Sequence, residues 1–481
     1  MKKLISLLLA LALMPCGVFA MAQDYDGVLD AAFEAGQLSF AKAALPEPDA
    51  ADCELIVPEG FWERAGVEPM DEAALRALMG RTTLRLYSFS PDGIRAVGQY
   101  QADELILPVV VSAGRVAVIV PATGRGVEDA YGVMDEVYRR FFLREDKTMP
   151  LGLGFEGAAW SPSGRYLWLG NNSRALNGAD FEAGSPFIVD TETGELFALD
   201  SFDTDRRSDE TGCWVACCFS EDESRLYAMC YGKRFGGFYG PLCYSLEGGE
   251  AQPLGDGTEH ASSAALYCMK DGSLLTLSEG GSKGNTFRQG LVKIAADGTT
   301  EATEFSFDPN SWSACRVEYS AESGWAIIEG GATPGGGFSR GLIEGFQCVR
   351  VSDSLTDGAD IAWFFPLEGD GLASMDHGQI NEMRLMDSEA IKSVGYFKSI
   401  IGMCLSPDGR YAAIIAGTFS TGLGLYVVRL EDMAVLRAQG FEAEDADRLI
   451  FDAPFNRYMM NWSEAGLLVN DGPSLWKPDG Q

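Results

Sequence analysis

Short apolar runs alternate with polar turns along most of this chain, and one combination keeps returning. An apolar residue is followed by a Ser-Pro-Asp-Gly turn and then by strand-forming residues. Phe89–Val97 reads FSPDGIRAV, Trp160–Leu169 reads WSPSGRYLWL and Leu405–Ile415 reads LSPDGRYAAII. Looser copies begin at Phe219, Cys268, Tyr319 and Trp462, which makes seven in all. Proline presets φ for the first central turn position, and Asp-Gly supplies a polar turn with a residue tolerant of positive φ. Each copy therefore predicts a β-hairpin. The copy at Phe219, FSEDESRLYAM, reads as having one extra turn residue.

A second phrase runs out of step with the first. It begins at Asp190, Ser245, Ala295, Ser352 and Arg429, each time a polar turn between β-capable segments. Two hairpins per unit make four strands, and units recurring every ~50–90 residues predict an all-β, seven-bladed propeller. A single blade cannot bury both faces, so blades must pack on their neighbours. The longest interval contains 374–397, read as an insertion; the alternative is an eighth blade without the turn phrase.

Helical periodicity predicts short N-terminal helices over Asp24–Leu45 and Pro69–Met79 and one inserted helix over Val127–Arg144. Pro46 and Pro48 close the first, and Asp71 and Glu72 suit the opening turn of the second. Cys53–Val57 reads as a short strand. The last unit has room for only three strands, so 53–57 is expected to supply its outer strand and close the ring. This divides the chain into 1–22, 23–81 and the propeller, 82–481.

The repeated phrase resembles the blade turn of WD40-like, TolB-type β-propeller repeats over roughly Thr82 to the C-terminus. The best matches are Phe89–Gly93, Trp160–Gly164 and Leu405–Gly409. The Trp-Asp dipeptide of WD40 blades is absent. The resemblance implies a fold and says little about function, because propellers host binding proteins, scaffolds and unrelated enzymes.

Composition narrows the partners. Of 481 residues, 46% are hydrophobic and 22% charged, as in a packed protein, and 57 glycines suit a fold made of turns. The net charge of −33 argues against nucleic acid and anionic membrane surfaces. It fits a solvated acidic surface, with recruitment of cations or a basic partner as the alternative. Met1–Ala22 reads as an export signal: Lys2 and Lys3, an apolar Leu4–Met14, and cleavage after Ala20 or Ala22. The expected location is therefore secreted or extracytoplasmic, with no transmembrane span in the mature chain. Cys16 follows Leu13-Met14-Pro15, a poor version of a lipid-attachment box.

Candidate chemistry is sparse. Of 11 cysteines, all but Cys16 lie beyond the leader, mostly in apolar runs where a thiol packs as a small hydrophobe. None has zinc-site spacing. A hydrolase would need one of only two histidines, His260 and His377. Gly337–Gly341 matches G-x-S-x-G without the helix that a nucleophile elbow requires. No cofactor motif is present; Gly280–Gly284 lacks the ending of a phosphate loop.

In a four-stranded antiparallel blade, the second-to-third link and the link to the next blade open on one rim. Links expected there include 203–211, 256–263, 309–313 and 371–379. They carry Arg206, Arg207, Glu259, His260, Trp312, Asp376 and His377. Arg207, Glu259, His260, Trp312, Asp376 and His377 are accordingly the candidate ligand-binding residues, with no metal assigned. The function expected is an exported binding module for a protein, small molecule or glycan. One alternative is a glycan or lactone hydrolase or lyase using face carboxylates and histidine. Another is a cell-envelope scaffold held by a lipid on Cys16.

Overall fold

The computed structural model describes residues 25–44, 47–60, 62, 68–102, 105–119, 155–171, 187–198, 213–232, 237–248, 252–254, 265–278, 290–302, 312–332, 343–351, 361–366, 372–375, 399–418, 422–440, 460–469 and 475–478. The expected export signal over Met1–Ala22 and the expected inserted helix over Val127–Arg144 lie outside these. The strands form seven separate sheets, antiparallel but for one added strand, the blades of a propeller.

The first strand of each blade runs into a copy of the turn phrase. Blade 1 runs Leu84–Phe89, Ala96–Ala102, Leu105–Ser112 and Arg115–Val118. Blade 2 runs Phe155–Trp160, Tyr166–Asn171, Phe187–Asp190 and Leu196–Ala198. Blade 3 is Cys213–Phe219, Arg225–Gly232, Gly237–Ser245 and Gln252–Pro253; blade 4 is Leu266–Cys268, Leu274–Ser278, Gly290–Ile294 and Thr300–Ala302. Blade 5 has five strands, Trp312–Tyr319, Trp325–Ala332, Ile343–Arg350, Ile361–Pro366 and Leu372–Met375. Blade 6 is Ser399–Leu405, Tyr411–Thr418, Gly422–Arg429 and Ala434–Gly440. Blade 7 takes Met460–Ser463, Gly466–Val469 and Leu475–Pro478 from the C-terminal end. The out-of-step phrase forms the third-to-fourth turns, as at Asp190–Glu195, where the Asp190 amide donates to the Glu195 carbonyl at 2.9 Å.

The ring is closed by Phe40–Ala43, paired antiparallel with Leu475–Pro478, and not by the expected 53–57 segment. Glu54–Ile56 instead adds in parallel to Arg115–Val118 as a fifth strand of blade 1. The choice follows from side chains. Cys53 is buried with Leu75, Leu78 and Met79 of helix Glu72–Arg81, which leads directly into blade 1. Arg76 on that helix also donates to the Ala50 carbonyl at 2.9 Å. The segment is thus held beside blade 1.

Phe40 belongs to a different core. It meets Trp462 edge-on at 5.9 Å, and shares a cluster with Leu29, Phe33 and the facing residues of blades 6 and 7. Leu29 and Phe33 come from helix Tyr25–Glu34, half the length expected. Gly36 stops it at φ +63: its amide donates to the Phe33 carbonyl and that of Gln37 to the Ala32 carbonyl. The following residues are thereby free to extend as the closing strand. The helix is clasped to blade 6 through Asp30, which receives Arg410 at 2.7 Å and the Tyr411 hydroxyl at 2.5 Å. Arg429 reaches Glu34 and lies 4.9 Å over the Phe33 ring. The second helix begins at Glu72, with Asp71 capping the Ala74 amide at 2.7 Å.

Candidate functional site

The propeller has two unlike rims. At one, the turn phrases interlock. The serine closes its own turn: Ser406 Oγ accepts from the Tyr411 amide at 2.9 Å and donates to Asp408 at 2.5 Å. Ser90 and Ser220 do the same with Asp92 and Asp222. Hydrogen bonds from Ser220 and Ser224 hold the Asp222 carboxyl down to about 2. Asp271 also sits at about 2, because bonds from Lys293 and Ser273 outweigh its partial burial. These serines and carboxylates are committed to turn structure, and Asp222 and Asp271 are ionised at neutral pH, unfit to donate a proton.

Several turns also nest against the one before them, though Gly272 of blade 4 stands clear of its neighbours. A Cβ on Gly409 would lie 2.1 Å from Ser320 Oγ of blade 5, and one on Gly164 would lie 2.9 Å from Ser90 Cβ of blade 1. The turn at Ser220 has the ordinary length, since Ser220 pairs with Arg225 just as Ser161 pairs with Tyr166. The expected extra residue is absent; Glu223 occupies the glycine slot at φ +55. Its carboxylate offsets that strain by accepting from the Ser163 amide at 2.5 Å and hydroxyl at 2.8 Å in blade 2. Burial raises the Glu223 pKa, but the Ser163 bonds outweigh it and leave the group lowered.

The two residues before each turn serine pack in opposite directions. The nearer, usually aromatic, leans on the previous blade: Tyr166 and Phe219 stack across blades 2 and 3, and Trp160 Nε1 donates to Ser88 of blade 1 at 3.0 Å. The farther one leans on the next blade. Asn461 of blade 7 accepts from the Phe89 amide at 2.9 Å, and the Tyr267 hydroxyl donates to the Val317 carbonyl at 2.8 Å. This alternation is the strand period put to use as a seam between blades.

The opposite rim is built differently. Four inner strands carry a β-bulge at one repeat position, near where each strand leaves that rim. The shifts fall between Phe155 and Gly157, Trp214 and Ala216, Ala314 and Arg316, and Ile400 and Gly402. Bulges re-aim a strand end and recur at barrel rims and beside active sites. Several spans joining strands at this rim are long, 172–186, 199–212, 279–289 and 441–459, while those from Ala102 to Leu105 and from Thr418 to Gly422 are short.

Of the candidate ligand-binding residues, Trp312 is described: it opens the inner strand of blade 5, opposite Ala332. Arg207, Glu259, His260, Asp376 and His377 lie outside the described residues. The 371–379 segment is not the simple link expected. Leu372–Met375 pairs back along Ile361–Pro366, with Met375 opposite Trp363, so the chain entering Asp376 is heading for the turn rim. What sequence reasoning missed is the repeated bulge; glycine follows it at Gly157 and Gly402 but alanine and arginine do at Ala216 and Arg316, so it has no consistent signature.

Among the described residues no three metal-ligating side chains come together, Cys53, Cys217, Cys218, Cys243, Cys268, Cys348 and Cys404 form no disulfide, and no helix is long and apolar enough to cross a membrane. No family model matches the sequence, and no curated protein does. Solved structures match in architecture. The Swd1 β-propeller domain of Myceliophteria thermophila is 10% identical, covering 82% of this chain and 99% of that one at a TM-score of 0.42. Apo prolyl oligopeptidase B from Galerina marginata is 9% identical over 81% of this chain and 47% of that one, TM-score 0.44. A structure from a study of two prolyl endopeptidases is 11% identical at TM-score 0.43; this chain, over 75% of its own length, spans 42% of that one. These likenesses extend to the fold alone.

Proposed function

We propose that this seven-bladed propeller is an exported binding protein that takes a protein, small-molecule or glycan ligand at the rim bearing the long links. The observation that carries the reading is the asymmetry of the two rims. At one, short turns interlock and their polar groups are used in holding each other. At the other, inner strands of four blades are bulged and several inter-strand spans are long. Binding residues are disproportionately carried by loops on a rigid scaffold. Trp312, at the start of a bulged strand, is the described residue best situated to contribute, and Arg207, Glu259 and His260 belong to neighbouring links. Export rests on the Met1–Ala22 pattern.

A thermal-shift screen of the full chain against oligosaccharide and peptide panels tests this. A ligand at a hundred times its Kd should stabilise the fold by about 2.7 kcal/mol. The stabilisation should disappear with Trp312→Ala or Glu259→Ala and survive Lys270→Ala at the turn rim. A ligand whose effect is abolished by Lys270→Ala and untouched by the other two overturns the assignment of the rim.

A further inference from the structure

The seam alternation brings two thiols together within one apolar cluster. In blade 3 the residue leaning forward is Cys218, and in blade 4 the residue leaning back is Cys268. The equivalent pair between blades 1 and 2, Ser88 and Trp160, is in direct contact at 3.0 Å. The pair between blades 7 and 1 touches at 2.9 Å. Cys218 and Cys268 share one apolar cluster, and the Glu221 amide of blade 3 is hydrogen bonded to the Cys268 sulfur of blade 4. Both are free thiols; Cys218 is buried and Cys268 only partly so.

Other partners for Cys218 are excluded by register. Cys243 shares the cluster but stands two strands from Cys218, with Tyr227 directly between them. Two inter-strand steps amount to ~9.5 Å, beyond the ~7 Å limit for a disulfide. Cys217 faces the other way, into the seam with blade 2.

We propose that Cys218 and Cys268 are an oxidisable pair that a small-molecule disulfide closes into a covalent link between blades 3 and 4. The partly exposed Cys268 thiolate attacks the reagent RSSR, forming a Cys268–S–S–R mixed disulfide and releasing one RS⁻, which takes up a proton. The Cys218 thiolate then attacks the Cys268 sulfur and expels the second RS⁻. The net change is two protein thiols and RSSR to one protein disulfide and two RSH. Burial raises both thiol pKa values, with the Glu221 amide opposing it at Cys268, so closure accelerates as pH rises.

The test uses the full chain and oxidised glutathione at mildly alkaline pH, followed by acid quench, alkylation and peptide mass mapping without reduction. The expected product has lost two hydrogens, carries a Cys218–Cys268 cross-link and leaves Cys243 alkylated. Cys217→Ser keeps the link. Cys218→Ser halts at a glutathione adduct on Cys268, and Cys268→Ser leaves Cys218 reduced. The wild-type melting midpoint rises on oxidation, and neither the Cys218→Ser nor the Cys268→Ser variant shows that rise. A cross-link to Cys243 or Cys217, or a stable glutathione adduct on wild-type Cys268 with Cys218 still alkylatable, overturns the proposal.

Discussion

Gly409→Ala and Gly272→Ala make a matched pair that isolates how much the interlocking turns contribute. Both glycines occupy the same slot of the repeated turn and both hold positive φ, +66 and +79. Alanine in the left-handed region costs about 1–2 kcal/mol at either site. The surroundings differ. A Cβ at Gly272 meets nothing within 4 Å, whereas one at Gly409 would lie 2.1 Å from Ser320 Oγ, 2.5 Å from Ser320 Cβ and 2.5 Å from Ser323 Oγ. Those atoms belong to the turn of blade 5, where the Ser320 amide is bonded to the Trp325 carbonyl at 3.0 Å. Making room must spread blades 5 and 6 at that rim, an overpacking cost of about 1–3 kcal/mol. Gly272→Ala is therefore expected to lose about 1–2 kcal/mol and Gly409→Ala about 2–5 kcal/mol. Urea denaturation followed by tryptophan fluorescence measures both, with the shift in midpoint multiplied by a common m-value. Equal losses, within about 0.5 kcal/mol, would mean that the turns tolerate separation and that the rim is not interlocked.

Four further outcomes follow from other sites. A chain starting at residue 44 lacks the closing strand, exposes the edge of Leu475–Pro478 and uncovers Trp462; light scattering should show association, whereas Leu55→Pro in the added strand of blade 1 should leave a monodisperse protein. Among the described residues neither amide atom of the buried Gln99 side chain has a hydrogen-bond partner, so Gln99→Met should raise the urea midpoint by the equivalent of about 1–2 kcal/mol. Ser88→Ala removes the acceptor of the Trp160 indole in the seam and should cost about 1–2 kcal/mol by the same measurement. Asp271 has a folded pKa lowered to about 2, so its contribution is complete above its ordinary value of 3.8 and is lost as pH falls through about 2; Asp271→Asn should flatten the melting-temperature profile across that window.

Much of this architecture was legible in the sequence because the repeated phrase is local chemistry. Ser-Pro-Asp-Gly forms its turn from contacts within six residues, as the bonds from Ser90 to Asp92 and Arg95 show, so its seven copies located the hairpins and set the blade number. Even the aromatic before the serine is readable, since strand alternation obliges it to face one neighbour. The closing strand was not readable in this way. Phe40–Ala43 and Glu54–Ile56 are both short and β-capable, and nothing local ranks them; contacts with Trp462 on one side and with helix Glu72–Arg81 on the other decided which blade each joined. Glu223 at a glycine position makes sense only once Ser163 of the neighbouring blade is beside it. The same holds for the recurring bulges and for Cys218 facing Cys268. The sequence alone determined a ring of seven antiparallel blades, because turn chemistry and strand period act over a few residues. Tertiary structure alone decided how the ring closes, which rim is sealed and which side chains meet across the seams, because those depend on contacts between residues tens to hundreds of positions apart.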